Sequence, residues 1–214
     1  VLKGNFELPI IIDLSATFLF GLTGALAALK RGYDWVGIFF LAFATAVGGA
    51  LIRDGIFISQ GPPAVTRDSR YVLMVVISVC VAFLLRHRAH RFNKVIAVLD
   101  ALGLGAYAAV GTQKALVADL SVAAAVLVGV VNAAGGGLMR DVLAREEPLV
   151  FKPGQFYVLA ALAGCALFVV LSIYAELDAT HAALWTIGGT FACRMLAIRF
   201  NWQTRRLDDT SPGI

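Results

Sequence analysis

Charge is what this sequence has least of. Only 15% of its 214 residues are Asp, Glu, Lys or Arg, against about 25% in a soluble domain, which excludes a large water-facing surface. A hydrophobic share of 59% and a mean hydropathy of +0.82 make it an integral membrane protein with no room for a sizeable soluble domain. Cysteine is scarce too. Cys80, Cys165 and Cys193 all fall inside apolar runs, with no CxxC pair or ligand spacing, and read as small packing residues. His87 and His90 in a basic loop and His181 at the start of a run are not read as metal ligands. No Walker loop, dinucleotide fingerprint or nucleophile with a recognisable base is present, so nothing argues for an enzyme or a resident cofactor. The net charge of +4 comes from basic residues in short segments between apolar runs, which suits membrane orientation better than nucleic-acid binding.

What is present is hydrophobic length. A helix needs roughly 20 mostly apolar residues to cross a bilayer, and seven runs qualify or come close: Leu8 to Leu29, Trp35 to about Phe57, Tyr71 to Leu85, Val95 to Gln113, Leu120 to about Val142, Pro153 to Ala175, and Ala179 to Ile198. Ala25-Leu26-Ala27 resembles a signal-peptidase site, but the first run is long enough to span and has a partner in the second half, so it is kept as a helix. The expectation is an all-α integral membrane protein with one transmembrane domain over residues 1–206 and a short tail at 207–214. Lys and Arg are unevenly shared between the two sides. Lys3, Arg67, Arg70 and Lys114 fall on the side of the N-terminus; Lys30, Arg31, Arg86, Arg88, Arg91, Lys94, Arg145, Lys152, Arg199, Arg205 and Arg206 fall on the other. The basic side is cytoplasmic, which puts the N-terminus outside and the C-terminus inside.

One stretch is written twice. Gly48-Gly49-Ala50-Leu51-Ile52-Arg53-Asp54 returns 87 positions later as Gly135-Gly136-Gly137-Leu138-Met139-Arg140-Asp141. At the same offset Asp13 matches Asp100, Phe20 matches Tyr107 and Thr45 matches Asn132; one residue off, Tyr71-Val72-Leu73 matches Tyr157-Val158-Leu159. The repeats cover about 8–86 and 95–175, with the seventh helix at about 179–198. Three spans per repeat force the copies into opposite orientations, an inverted-repeat arrangement used by transport proteins.

Each end then receives one Arg and two carboxylates: Asp13, Arg53 and Asp54 at one, Asp100, Arg140 and Asp141 at the other. A lone charge at bilayer depth costs about 2.5 kcal/mol or more. Pairing Arg53 with Asp13 or Asp54, and Arg140 with Asp100 or Asp141, offsets much of that. These are either structural ion pairs or the lining of a polar pathway at its mouths. The glycines also carry two readings. They allow helices to pack closely, or they break helices two and five so that carbonyls at Gly48, Gly49, Gly135 and Gly136 meet a monovalent cation, with Thr45 and Asn132 one turn away. Elsewhere, the loop of Arg86, Arg88 and Arg91 sets topology or binds anionic lipid. Lys114 reads as an interface anchor, and Tyr157, Trp185 and Trp202 as members of the interfacial aromatic belt.

The doubled Gly-Gly-x-x-x-Asp motif in spans two and five, the inverted three-helix repeats and the seventh helix resemble the trimeric intracellular cation channels. The resemblance is to their prokaryotic branch, which overlaps the glycine-transporter-domain membrane proteins, and it covers about residues 8–200. It implies a homotrimer with one K+- and Na+-conducting pore per protomer. Gly48, Gly49, Arg53, Asp54, Gly135, Gly136, Arg140 and Asp141 would lie beside each pore. The chain ends soon after Arg206, without the lysine-rich tail of animal members, so a prokaryotic plasma membrane is expected. Membrane lipids and other copies of the chain are the expected partners. The alternatives are a small-solute carrier, glycine being the named candidate, and a non-conducting lipid-binding membrane protein.

Overall fold

A computed structural model describes residues 6–86, 92–152 and 156–202. Among these the chain is all-helical. Its elements are α1 (Ile10–Lys30), α2 (Trp35–Ile52), α3 (Ala64–Arg67), α4 (Ser69–Leu85), α5 (Phe92–Val117), α6 (Val122–Leu143), α7 (Tyr157–Val169) and α8 (Ala179–Arg199). Helix α2 runs on into a π-helical turn at Arg53–Ile58, and α7 into another at Val170–Tyr174. The apolar runs build the helices and short polar residues start them. Asp34 accepts from the Gly37 amide, Ser121 from Ala124, and Asp178 from Thr180 and His181, satisfying donors that a first helical turn leaves open. Between α1 and α2 the chain reverses through Gly32 at φ +71°, a left-handed conformation that costs glycine little.

Helix α1 pairs with α2, and α5 with α6. These two hairpins meet at the centre, α1 against α5 and α2 against α6, while α4 covers the first hairpin and α7 and α8 cover the second. The apolar core follows this division. One cluster joins α1, α2 and α4 around Leu26, Val47 and Val75. Another joins α5 to α8 around Val110, Val128 and Phe168. A third lies between them, where the fully buried rings of Phe20 and Tyr107 stack with centroids 5.2 Å apart.

The glycines decide how closely the hairpins cross. A Cβ on Gly49 would stand 2.2 Å from the Asn132 carbonyl oxygen, and one on Gly136 would stand 2.3 Å from that of Thr45. A Cβ on Gly135 would meet the Gly49 backbone at 2.9 Å. The expected breaks in helices two and five are not found at these positions: α2 and α6 remain α-helical through both glycine sets. With backbones this close there is no need to unwind, because the missing side chains are what the crossing uses. The departure from α-geometry in α2 comes one turn later, at Arg53.

Among the described residues, five helices are long and apolar enough to cross a membrane: Ile10–Lys30, Trp35–Ile58, Phe92–Val117, Val122–Leu143 and Tyr157–Tyr174. Helix α4 is shorter, at 17 residues. Helix α8 has the length but carries His181, three threonines, Arg194 and Arg199. In the basic loop, Arg86 is exposed, while Arg88 and Arg91 lie outside the described residues.

The crossing makes a direct prediction. Gly49→Ala and Gly136→Ala should each cost about 1–3 kcal/mol by overpacking, read as a lower Tm in detergent. Gly188→Ala meets nothing within 4 Å and should leave Tm unchanged or slightly raised. Equal behaviour of the three variants would contradict the crossing geometry.

Candidate functional site

Two clusters of buried charge flank the crossing. In the first, Arg53 is fully buried. Its Nε donates to Asp54 Oδ1 at 2.6 Å and its Nη2 to Asp54 Oδ2 at 3.1 Å. Its Nη1 reaches across to Asn132 Oδ1 on α6 at 3.2 Å. The Ala64 amide at the head of α3 donates to Asp54 Oδ2 at 3.1 Å. Asp13, on the same side, has its own partners: its Oδ2 accepts from the Tyr71 hydroxyl and from Lys114 Nζ, both at 2.7 Å. Behind it, Tyr107 donates to the Ala46 carbonyl at 2.6 Å, Thr17 lies 3.0 Å from the Tyr107 hydroxyl, and Asn132 Nδ2 donates to the Tyr107 carbonyl.

The second cluster repeats the plan with different partners. Arg140 Nε donates to Asp141 Oδ1 at 2.9 Å, and its Nη1 to Asp100 Oδ1 at 2.7 Å and Thr23 Oγ1 at 3.2 Å. The Leu149 amide donates to Asp141 Oδ2 at 3.1 Å, as Ala64 does to Asp54. Arg194 of α8 lies over the Tyr157 ring, its guanidinium carbon 4.9 Å from the centroid. The separation of the clusters follows from α1. Asp13 serves the first and Thr23 the second, and ten helical residues rise about 15 Å.

Each cluster borders its own cavity. Asp54 and Lys114 line one of about 380 Å³, together with Glu7, Gln60 and Arg67. Asp100, Arg140, Asp141 and Arg194 line another of about 390 Å³, together with Lys30 and Glu146. Between the cavities stand the glycine crossing and the stacked Phe20–Tyr107 pair. The arrangement can do two things chemically. It presents carboxylates to each cavity, and it holds a guanidinium on Asp54, Asp100 and Asp141.

The sequence-derived site residues are gathered as follows. Arg53, Asp54 and Asn132 come together, as do Asp100, Arg140 and Asp141. The alternative pairing of Arg53 with Asp13 is not made: Lys114 holds Asp13 instead, so Lys114 is no mere interface anchor. Thr45 is turned away, its hydroxyl donating to the Leu41 carbonyl at 2.6 Å. The carbonyls near Gly48, Gly49, Gly135 and Gly136 stay within helices, which leaves them no ligand role in this geometry. Tyr157 is only 3% exposed; it belongs to the second cluster rather than to an interfacial belt. Tyr71, Tyr107, Thr17, Thr23 and Arg194 are the members that sequence reasoning missed; the match of Tyr71 with Tyr157 and of Tyr107 with Phe20 between repeats is the available signal for the two tyrosines.

A strap closes over the second cavity. Lys30 and Arg31, at the end of α1, reach Glu146 Oε1 in the α6–α7 connection at 3.6 and 3.1 Å. Partial burial works against ionisation of Glu146, but the Lys30 ammonium and the Arg31 guanidinium outweigh it and hold the carboxyl below its ordinary range.

Comparison with known proteins places this geometry in company. A family model described as glycine transporter matches residues 10–87 and 97–172. The chain is 32% identical over 192 residues to a UPF0126 membrane protein of Vibrio cholerae, covering 89% of this chain and 79% of that one. It is 30% identical over 191 residues to the UPF0126 inner membrane protein YadS of Escherichia coli K12, covering 89% and 91%. Its fold is similar to the TRIC trimeric intracellular cation channel orthologue from Rhodobacter sphaeroides, with a TM-score of 0.83 and 29% identity over 89% of this chain and 97% of that one. It is also similar to a prokaryotic TRIC channel solved in 0.5 M KCl, with a TM-score of 0.79 and 26% identity over 89% and 95%.

Two measurements check the site. Removing one partner of a buried ion pair costs about 3–5 kcal/mol. Arg140→Met strands both Asp100 and Asp141 and should therefore lower Tm more than Arg53→Met, which strands Asp54 alone. The reverse order would contradict the pairing. For the strap, a depressed folded-state pKa means that the Glu146 contribution is present above the unfolded value and lost as pH falls through the folded one. The loss therefore lies below the ordinary 4.5, and Glu146→Gln should flatten the decline of Tm there. An unchanged slope would remove Glu146 from the strap.

Proposed function

The chain belongs to the prokaryotic branch of the trimeric intracellular cation channel family, which the glycine transporter model also describes, and from that premise we propose that it is a monovalent cation channel. K+ and Na+ pass through a path within each protomer of a homotrimer. The path runs between the two cavities, past the paired clusters, through a frame of two inverted three-helix repeats. A seventh crossing, α8, lies outside them. The membrane is the plasma membrane of a prokaryote, with the N-terminus outside and the C-terminus cytoplasmic, so the Asp54 cluster faces out and the Asp141 cluster faces in. No cofactor takes part; lipids and sister protomers are the partners.

The observation that carries this reading is the match between clusters. At positions 87 apart, an Arg-Asp pair stands beside a separate cavity, its carboxylate fixed by a backbone amide from the following connection. Buried charge at bilayer depth marks ion pathways. Carboxylates facing both cavities favour cations, and the two arginines act as latches on those carboxylates. The stacked Phe20–Tyr107 pair between the cavities favours one second reading, a small-solute carrier that exposes its two sides in turn.

Planar-bilayer recording of the purified chain under a KCl gradient tests the proposal. Discrete currents reversing near the K+ potential are expected, with altered conductance or selectivity in a folded Asp54→Asn/Asp141→Asn double variant. Silent bilayers together with saturable uptake of labelled glycine into proteoliposomes would overturn the channel and favour the carrier.

A further inference from the structure

The two clusters differ in one respect that their common plan does not explain. In the first, a single carboxylate oxygen, Asp13 Oδ2, receives both a tyrosine hydroxyl and a lysine ammonium, at 2.7 Å each. Asp100 corresponds to Asp13 and Tyr157 to Tyr71, but the position corresponding to Lys114 is Ala27. Among the described residues no lysine reaches Asp100. Its Oδ1 is taken by Arg140, while its Oδ2 and the Tyr157 hydroxyl have no hydrogen-bond partner among the described residues. Both side chains are buried, Asp100 to 2% and Tyr157 to 3% exposure. In the first cluster Asp13 Oδ1 is likewise without a partner, but there the carboxylate already has its ammonium.

A buried carboxylate oxygen and a buried hydroxyl left unpaired cost free energy that a ligand can recover. The room for that hydroxyl is built in. The first motif has Ala50 where the second has Gly137, and a Cβ on Gly137 would stand 2.6 Å from the Tyr157 hydroxyl oxygen and 3.5 Å from Asp100 Oδ1. Asp100 and Ala27 both line the second cavity, so the carboxylate is reached from one side of the protein.

We propose that Asp100 Oδ2 and the Tyr157 hydroxyl oxygen form a binding site for a free monovalent cation, the counterpart of the tethered Lys114 ammonium in the first cluster. An ammonium group and K+ are close in size and charge, and both oxygens are hard ligands of the kind K+ takes. Arg194, on the face of the Tyr157 ring, adds a repelling charge nearby, which keeps the ion from being held too tightly to leave, as conduction requires. The inference deepens the channel reading and rests on it for the choice of ion.

Thermal unfolding of the full chain in detergent tests the site without calling on transport. Melting is followed as KCl rises, with N-methyl-D-glucamine chloride as the control at equal ionic strength. The wild type should gain about 5 °C in K+ over the control near saturation. Asp100→Asn should lose that gain. Tyr157→Phe keeps the ring under Arg194 and should need roughly tenfold more K+ for the same gain. Equal melting of the wild type in the two salts, or a full K+ response in folded Tyr157→Phe, would overturn the site. K+-specific stabilisation lost in the variants but with silent bilayers would keep the site and remove the channel. Currents without K+-specific stabilisation would do the reverse.

Discussion

A guanidinium buried in a bilayer-spanning bundle has to be matched, and the rest of this structure is arranged around meeting that demand twice. Arg53 and Arg140 stand on the two helices that cross at the centre. Each is matched first by the aspartate that follows it in sequence. Adjacent residues on an α-helix point about 100° apart, so such a pair forms only if local geometry turns the carboxylate back. For Asp54 a π-helical turn and the Ala64 amide do this; for Asp141 the Leu149 amide does. The connections after α2 and α6 are therefore part of the charge structure, not spacers.

The glycines make the matching possible from across the molecule. Because nothing but backbone separates α2 from α6, Arg53 reaches Asn132 on the opposite helix. With an ordinary side chain at Gly49 or Gly136, the helices would separate and the arginine would lose its second partner, Asn132. Close approach thus replaces the unwound, carbonyl-lined path that paired glycines suggest on the page. The same compactness shuts the centre: the conformation described here keeps the two cavities apart.

Much of this was legible in the residues. Five of the apolar runs coincide with helices long and apolar enough to cross a membrane among the described residues, and the doubled motif points to the arginine-aspartate pairs directly. What could not be read was anything carried by a connection or by a distant contact. The Ala64 and Leu149 amides act through backbone, which leaves no side-chain signature. Lys114 finds Asp13 across 101 positions, and its place near the end of a hydrophobic run mimics an anchor. Tyr157, near a run's end, mimics a belt residue in the same way, although its alignment with Tyr71 implies a shared role. The choice between Asp13 and Asp54 as the partner of Arg53 turned on Lys114, a cation for which the other repeat has no equivalent.

On the channel reading, the two clusters open to water from opposite sides and lie on one ion path. In a chain stripped of native cysteines, Gln60→Cys in the Asp54 cavity and Asn93→Cys in the Asp141 cavity can be labelled with a membrane-impermeant thiol reagent in oriented vesicles while K+ flux is followed. The account predicts that residue 60 is labelled only from outside and residue 93 only from the cytoplasmic side, and that labelling either one reduces the flux. Labelling of both from one side, or full flux after both are modified, would contradict it.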